Sequence, residues 1–289
     1  MLPLVVIVGE TASGKSRLAL ELAERFNGEI ICADSWTVYK GFNIGTAKPS
    51  AADQARVRHH LLDVADAKEG FSAVVFQRLA NEAIMDIQNR GKLPILVGGT
   101  GLYIDSVIYD YGFLPPSSPE LRAELNSMSL EEVLARADGL GLDTAGIDLR
   151  NKRRVIRLIE NNGVRPSKKS LRDNTILMGL SVPREQLQAN MERRVDAMLA
   201  AGLEDEVRNL AEDYGWDTEP MKGIGYAQWK AYFEGTQSLD ETRTKIIKAT
   251  LDLAKRQRTW FKRNKSIHWL ATEDKIAEAV DILTTALNT

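Results

Sequence analysis

Cysteine is nearly absent: the 289-residue chain has one, Cys32, beside three histidines. A single thiol cannot close an internal disulfide, which excludes a disulfide scaffold and fits a reducing, cytoplasmic compartment. So few soft ligands also argue against a dedicated zinc site. No apolar run reaches the roughly 18 residues of a membrane span, so no membrane partner is expected. The first residues carry neither a basic leader nor a cleavage site, and read as the approach to a strand rather than a signal peptide. A net charge of −2 gives no global sign of a nucleic-acid binder. Internal repeats and low-complexity tracts are missing too, which excludes a solenoid or a linker.

What is present is a composition ordinary for a globular chain, 44% hydrophobic and 27% charged, long enough for one large domain or two. Charge is neutral overall but unevenly spread. Arg150, Lys152, Arg153, Arg154, Arg157, Arg165, Lys168, Lys169 and Arg172 form one basic stretch opposed only by Glu160. Arg243, Lys245, Lys248, Lys255, Arg256, Arg258, Lys262, Arg263 and Lys265 form a second, opposed only by Asp252. Acids gather elsewhere, as in Glu204, Asp205, Glu206, Glu212 and Asp213. Such stretches are either solvated helix faces or surfaces that track a phosphate backbone.

The pattern along the chain is α/β. Leu4 to Val8 is a continuous apolar run, as in a buried parallel strand. Leu18, Leu22 and Phe26 with Ala19 and Ala23 recur at helical spacing from Lys15. Glu29 to Ala33 and Pro94 to Val97 read as further strands. Between them Ser72 caps a helix with apolar Phe76, Leu79, Ala80, Ala83, Ile84 and Ile87, which Gly91 ends. The proline-rich run Phe113 to Pro119 breaks this alternation, and no convincing strand returns until Ile176 to Val182. Ser129-Leu130-Glu131-Glu132 reads as a capping box inside the excursion. The expected architecture is a P-loop NTPase-like parallel sheet core, residues 1–114 and 174–289 with C-terminal helices, carrying an inserted helical domain over 115–173. Gly202 and Gly215 mark helix ends, and a long basic helix is expected near Arg243 to Lys262.

Three loops follow the strands. Gly9-Glu10-Thr11-Ala12-Ser13-Gly14-Lys15-Ser16 matches G-x-x-x-x-G-K-[ST] between a strand and a helix. Its glycines let backbone N–H groups turn around phosphate oxygens, and the helix N-terminus adds a positive dipole end. Lys15 supplies a mobile charge, and the Ser16 hydroxyl can ligate magnesium. Asp34-Ser35 ends the second strand, where an open α/β sheet binds ligands. Asp34 is there either a metal or proton acceptor or a turn-forming Asx residue. Gly98-Gly99-Thr100-Gly101 is either a close approach to ligand, with Thr100 donating to a phosphate, or a tight turn. The candidate strand before it ends without the aspartate of a nucleotide-hydrolysing P-loop protein. The loops therefore grip a polyphosphate without identifying it as ATP.

Together with Asp34-Ser35-Trp36-Thr37-Val38-Tyr39-Lys40, Gly45-Thr46-Ala47-Lys48-Pro49, His59-His60-Leu61-Leu62-Asp63, Gly225-Tyr226 and Ala254-Lys255-Arg256-Gln257-Arg258-Thr259-Trp260-Phe261, these loops resemble the tRNA dimethylallyltransferases. The matches keep the family's order over residues 1 to about 263. The resemblance implies transfer of the dimethylallyl group of dimethylallyl diphosphate to N6 of the adenosine beside the anticodon, position 37, of tRNA, with magnesium and release of diphosphate. It implies Asp34 as the base, with Lys15 and Thr100 acting on the leaving group. Gly9, Thr11, Ala12, Ser13, Gly14, Lys15, Ser16, Arg184 and Arg194 would bind the diphosphate, Ser16 also the metal. Asp34, Ser35, Thr37, Arg153, Arg154, Arg157, Lys255, Arg256, Gln257 and Arg258 would bind the anticodon stem-loop, with the insert as a tRNA-binding domain and the protein a monomer. His59 and His60 fit a structural or RNA-contact role. Trp260 and Phe261 either stack on bases or belong to the core.

The chain departs from the family pattern at several positions. Glu10 replaces a usual proline and is expected to turn away from the ligand. Thr37 replaces glutamine, Asn151-Lys152 precedes Arg153-Arg154, and the insert is short. Asn190 stands where the family has an arginine expected at the diphosphate, a loss Arg193 could offset. Three rival readings remain: an adenylate isopentenyltransferase using free AMP, ADP or ATP, a small-molecule P-loop kinase, and an RNA-binding protein without activity.

Overall fold

A computed structural model describes residues 2–115, 117–271 and 273–288; Met1, Pro116 of the proline-rich run, Thr272 and Thr289 lie outside the described residues. By their contacts the residues divide into one unit of Met1–Ile108 with Leu171–Thr289 and a second of Tyr109–Ser170.

The first half of the larger unit alternates strand and helix. In order come β1 (Leu4–Gly9), α1 (Lys15–Arg25), β2 (Gly28–Ala33), α2 (Ala51–Arg56), β3 (His59–His60), α3 (Ala73–Asn89), β4 (Leu93–Gly98) and α4 (Gly101–Ile108). The insert contributes α5 (Pro119–Ser127), α6 (Leu130–Gly139) and α7 (Lys152–Glu160). The chain then returns through β5 (Thr175–Leu180), α8 (Arg184–Ala200), α9 (Leu203–Tyr214), α10 (Lys230–Phe233), α11 (Leu239–Phe261), β6 (His268–Trp269) and α12 (Lys275–Leu287).

All pairings in the six-stranded sheet are parallel, in the order β3-β2-β4-β1-β5-β6. β1, β2 and β4 are buried at every residue, as a sheet covered on both faces requires. Side chains alternate between the faces. Val5 and Ile7 join Leu18, Leu22 and Ala23 of α1 and Ala279 and Leu283 of α12 in one core. α3 packs on β2 and β4, and α11 packs on β1. A second apolar cluster joins Val38, Tyr39 and Phe42 to α8, α9 and α11 through Val195, Val207, Tyr226, Trp229 and Ile246. It binds the loop after β2 to the C-terminal helices.

The α/β core with a parallel sheet is as expected. β3 and β6 were not foreseen, being two-residue strands too short to show alternation. Pro119 does not merely break the chain: it opens α5, with the Ser118 side chain accepting from Leu121 N–H. Proline suits that first position because its missing N–H would have no partner in the helix. The insert has its own small core, Leu125, Val133, Ala137, Val155, Ile156 and Ile159. Ser72 caps α3 and Ser129 forms the capping box of α6.

Candidate active site

Register places the three loops side by side. Val8 of β1 pairs with Gly98 of β4, Gly98 pairs with Ala33 of β2, and Gly9 pairs with Leu180 of β5. The loops that follow β1, β2 and β4 therefore leave the same end of the sheet at its centre.

The P-loop is closed by local geometry. Gly14 takes φ +93°, a left-handed conformation that caps α1, and Ala12 takes φ +60°. Lys15 Nζ donates to the Glu10 carbonyl at 3.4 Å. Burial, reinforced by the Arg194 guanidinium, brings Lys15 down to about 8, against the opposing pull of Asp34. Arg194 comes from α8 and donates to Thr11 Oγ1 at 3.1 Å. Burial also lowers Arg194 from its ordinary value, with Asp34 opposing. Thr11, Lys15, Asp34, Arg194 and Gln257 line one cavity. Its remaining wall is largely apolar, with Met191, Val195, Met198, Ile224, Ile246 and Leu253. A cationic end and an apolar side thus share one space.

Asp34 Oδ1 accepts from Trp36 N–H at 2.9 Å, so the Asx turn and the cavity-facing carboxylate are the same residue. Thr100 Oγ1 accepts from Ser35 N–H at 3.1 Å, and its own N–H donates to the Ala33 carbonyl at 3.3 Å. Thr100 and Ser35 thereby tie the β4 loop to the β2 loop. Gly9, Ala12 and Ser13 complete the P-loop, and Ser16 is exposed in the first turn of α1.

Other expected site residues lie elsewhere. Arg184 is exposed at the start of α8 and does not line the cavity. Thr37 is buried, 6% exposed, below the surface an RNA contact needs. In the insert, Arg153 and Arg154 are exposed, while Arg157 donates to Glu160 at 3.0 Å. Lys255 and Arg256 are exposed on α11, but Gln257 and Arg258 turn inward. Gln257 Oε1 accepts from Thr11 N–H at 2.8 Å and its Nε2 donates to the Gly99 carbonyl at 3.0 Å. Arg258 donates to Glu10 Oε1 at 2.5 Å and to the Val182 carbonyl at 2.8 Å. Glu10 does turn away from the phosphate cradle, but into a buried ion pair rather than into solvent.

Several functional contacts had no local signal. Glu206, one of the scattered acids, accepts from the N–H groups of Asn43, Ile44 and Gly45 at 2.8–3.1 Å and from the Tyr226 hydroxyl at 2.8 Å. It holds the loop that brings Gly45 to the cavity, and it explains why Tyr226 is buried. Burial first, then Glu206, pushes the Tyr226 hydroxyl far above its ordinary value. Asn190 Nδ2 donates to the Ala12 carbonyl at 3.0 Å, and its Oδ1 accepts from Arg193 at 2.7 Å. Phe261 belongs to the core, whereas Trp260 is half-buried against Asp105 at 3.2 Å. His60 Nε2 donates to Glu29 Oε2 at 2.8 Å, a structural contact.

Residues 37–264 match the family model described as IPP transferase. A tRNA dimethylallyltransferase of Anoxybacillus flavithermus is 42% identical over 95% of this chain and 92% of its own. That of Bacillus subtilis is 38% identical over 92% and 90%. Among solved structures, the tRNA isopentenylpyrophosphate transferase of Bacillus halodurans aligns with a TM-score of 0.77 at 36% identity, over 100% of this chain and 97% of its own. A eukaryotic dimethylallyltransferase acting on tRNA aligns with a TM-score of 0.80 over 99% of this chain and 80% of its own, at 24% identity, a likeness of fold.

Proposed function

The chain belongs to the IPP transferase family, and from that premise we propose that it transfers a dimethylallyl group from dimethylallyl diphosphate to N6 of the tRNA adenosine beside the anticodon, position 37. The protein is a tRNA prenyltransferase. The observation that carries the chemical reading is the cavity that joins Lys15, Arg194 and Asp34 to an apolar wall.

The diphosphate lies on the P-loop. Lys15 and Arg194 offset the charge that develops as the C1–O bond breaks and diphosphate leaves with the electron pair. The dimethylallyl group rests against Met191, Val195 and Leu253, out of water. The adenine amine is a weak nucleophile because its lone pair is delocalised into the ring. As N6 bonds to C1, its proton passes to the Asp34 carboxylate. Thr100, fixed against Ser35, donates near the bridging oxygen. A base in a loop leaves its stack at lower cost than a paired one, which suits an anticodon target.

Magnesium fits as a companion of the diphosphate. Among the described residues no group of three His, Cys, Asp or Glu could hold a metal, whereas one exposed hydroxyl, Ser16, beside a phosphate cradle suits an ion ligated mostly by phosphate and water. When bound, magnesium supplies positive charge to the leaving diphosphate.

Each unit, taken by itself, offers exposed cations to the phosphates of the tRNA: Arg153 and Arg154 in the insert, Tyr109–Ser170, and Lys255 and Arg256 on α11. No helix among the described residues is long and apolar enough to cross a membrane, and Cys32 is buried with its thiol pushed up to about 12 by burial. The cytoplasmic reading rests on the single cysteine, which cannot close an internal disulfide.

Incubation with magnesium, dimethylallyl diphosphate and unmodified tRNA, followed by nucleoside mass spectrometry, tests the reading. Isopentenyladenosine from tRNA supports it. Product from AMP alone would move the protein to the adenylate isopentenyltransferases.

A further inference from the structure

Gln257 stands in the basic run of α11, directly after the exposed Lys255 and Arg256, yet it is only 8% exposed. Both ends of its amide are used on backbone: Oε1 takes the Thr11 N–H of the P-loop, and Nε2 reaches the Gly99 carbonyl of the β4 loop. We propose that Gln257 is a positioning residue for the departure of diphosphate, setting the distance between the P-loop and the loop that carries Thr100.

Three observations support this. A primary amide presents an acceptor and a donor on one rigid plane, which suits a bridge from an N–H to a carbonyl. The fit is close: a Cβ on Gly99 would lie 2.3 Å from Gln257 Nε2, so the absence of a side chain there is what admits the amide. The bridged loops each hold a group of the reaction, Lys15 on one and Thr100 on the other. Thr100 is already fixed on its other side by Ser35, so Gln257 completes a chain that runs from the P-loop to the Asp34 loop. Gln257 also lines the cavity itself. Both ends of its amide are engaged by backbone and the side chain is buried, which separates it from the exposed Lys255 and Arg256. The proposal rests on the diphosphate reading of the site.

The test compares full-length protein with Gln257→Met and Gln257→Glu. Methionine keeps the volume and removes both hydrogen bonds. Glutamate keeps the acceptor for Thr11 but sets a second oxygen against the Gly99 carbonyl until it is protonated, when it again donates. Steady-state transfer is measured with dimethylallyl diphosphate and unmodified tRNA, and binding of inorganic pyrophosphate with magnesium is titrated separately. Gln257→Met should lower kcat by roughly a hundredfold, the scale of a small misplacement of reacting groups, with KM for tRNA within about threefold. Pyrophosphate binding should weaken in parallel. The activity of Gln257→Glu relative to the unaltered protein should rise as pH falls from 8 to 6, a recovery that a space-filling role would not give.

A raised KM for tRNA at unchanged kcat would overturn the proposal and return Gln257 to the RNA contacts. So would full kcat in the correctly folded fraction of either variant, or a Gln257→Glu ratio flat with pH. Absence of transfer by the unaltered protein would instead count against the reaction itself. In that event pyrophosphate affinity still reads the loop spacing: unchanged in both variants, it overturns the proposal.

Discussion

The two ends of the central sheet hold a buried glutamate in opposite ways. At the amino end, Glu29 of β2 is 2% exposed and fully engaged. Arg90 reaches it at 2.5 and 2.6 Å, Lys92 at 2.9 Å and His60 at 2.8 Å, and Arg90 also holds Asp86. At the carboxyl end, Glu10 is as deeply buried but has one cation, Arg258, and its second oxygen has no hydrogen-bond partner. The buried hydroxyls of Ser13 and Thr37 at that end also have none. Lys15 sits where burial and Arg194 both disfavour its charge. At the amino end Glu29 is saturated by the protein itself, and the one buried hydroxyl without a hydrogen-bond partner there among the described residues is that of Thr175, the first residue of β5. At the carboxyl end it is Lys15 whose charge an anionic ligand would stabilise, whereas the Glu10 carboxylate is kept from the cradle by Arg258.

The sharpest way to break this contrast is Asp34→Asn. If the carboxyl end serves chemistry, transfer should fall by roughly a thousandfold, within the range for a lost general base, while unfolding is unchanged. Quenched-flow or steady-state transfer and a denaturant titration on the same preparation decide it. A variant that unfolds more easily but transfers normally would class Asp34 with the scaffold.

Glu29→Gln asks the converse question. It leaves Arg90 and Lys92 beside a neutral amide, and should cost about 3 kcal/mol of stability, the scale for breaking a buried ion pair, with kcat retained in the folded protein. The pH dependence has a defined sign. Hydrogen bonding to Arg90 first, then to His60 and Lys92, holds the Glu29 carboxyl far below its ordinary value, although burial opposes it. Its contribution is thus fully present above about 4.5, the unfolded value, and fades as pH falls toward the folded one. The acid limb of the unfolding midpoint should flatten in the variant.

Lys15 sharpens the other side. Its charge in the folded protein is lost as pH rises through about 8. A diphosphate selects the charged form, so binding is fully supported below that value and declines above it. The affinity for inorganic pyrophosphate should fall roughly tenfold between pH 7 and 9, and Lys15→Met should abolish that slope. A flat profile in the unaltered protein would show that Lys15 does not meet the anion.

The same contrast separates what was legible in the sequence from what was not. The strands were readable because parallel strands buried on both faces are continuously apolar, as Leu4–Gly9 and Leu93–Gly98 are. The P-loop and the two strand-end loops were readable because their chemistry is local. Long-range partners were not. Nothing near Gln257 or Arg258 distinguishes them from Lys255 and Arg256; only the packing of α11 on β1 turns one pair inward and leaves the other in water. Glu206 clamps residues about 160 positions earlier in the chain, which no spacing rule detects. Arg157 read as a basic surface, but its partner Glu160 is one helical turn away and was already visible as the stretch's only acid.

Asn190 gives the smallest effect and the finest division between the two ends. Its amide donates to the carbonyl of Ala12, a non-glycine residue held at φ +60°. That conformation costs about 1–2 kcal/mol for an L side chain, so something must hold it. Asn190→Ala removes the hold and also the acceptor of Arg193, and exposes a carbonyl that water can reach. Stability should change by about 1 kcal/mol or less. The pyrophosphate affinity should weaken roughly threefold, because the P-loop must then be ordered by the ligand itself. Tighter binding would mean that Asn190 holds Ala12 away from the phosphate-binding geometry. In that case the carboxyl end is restrained against its ligand rather than shaped for it.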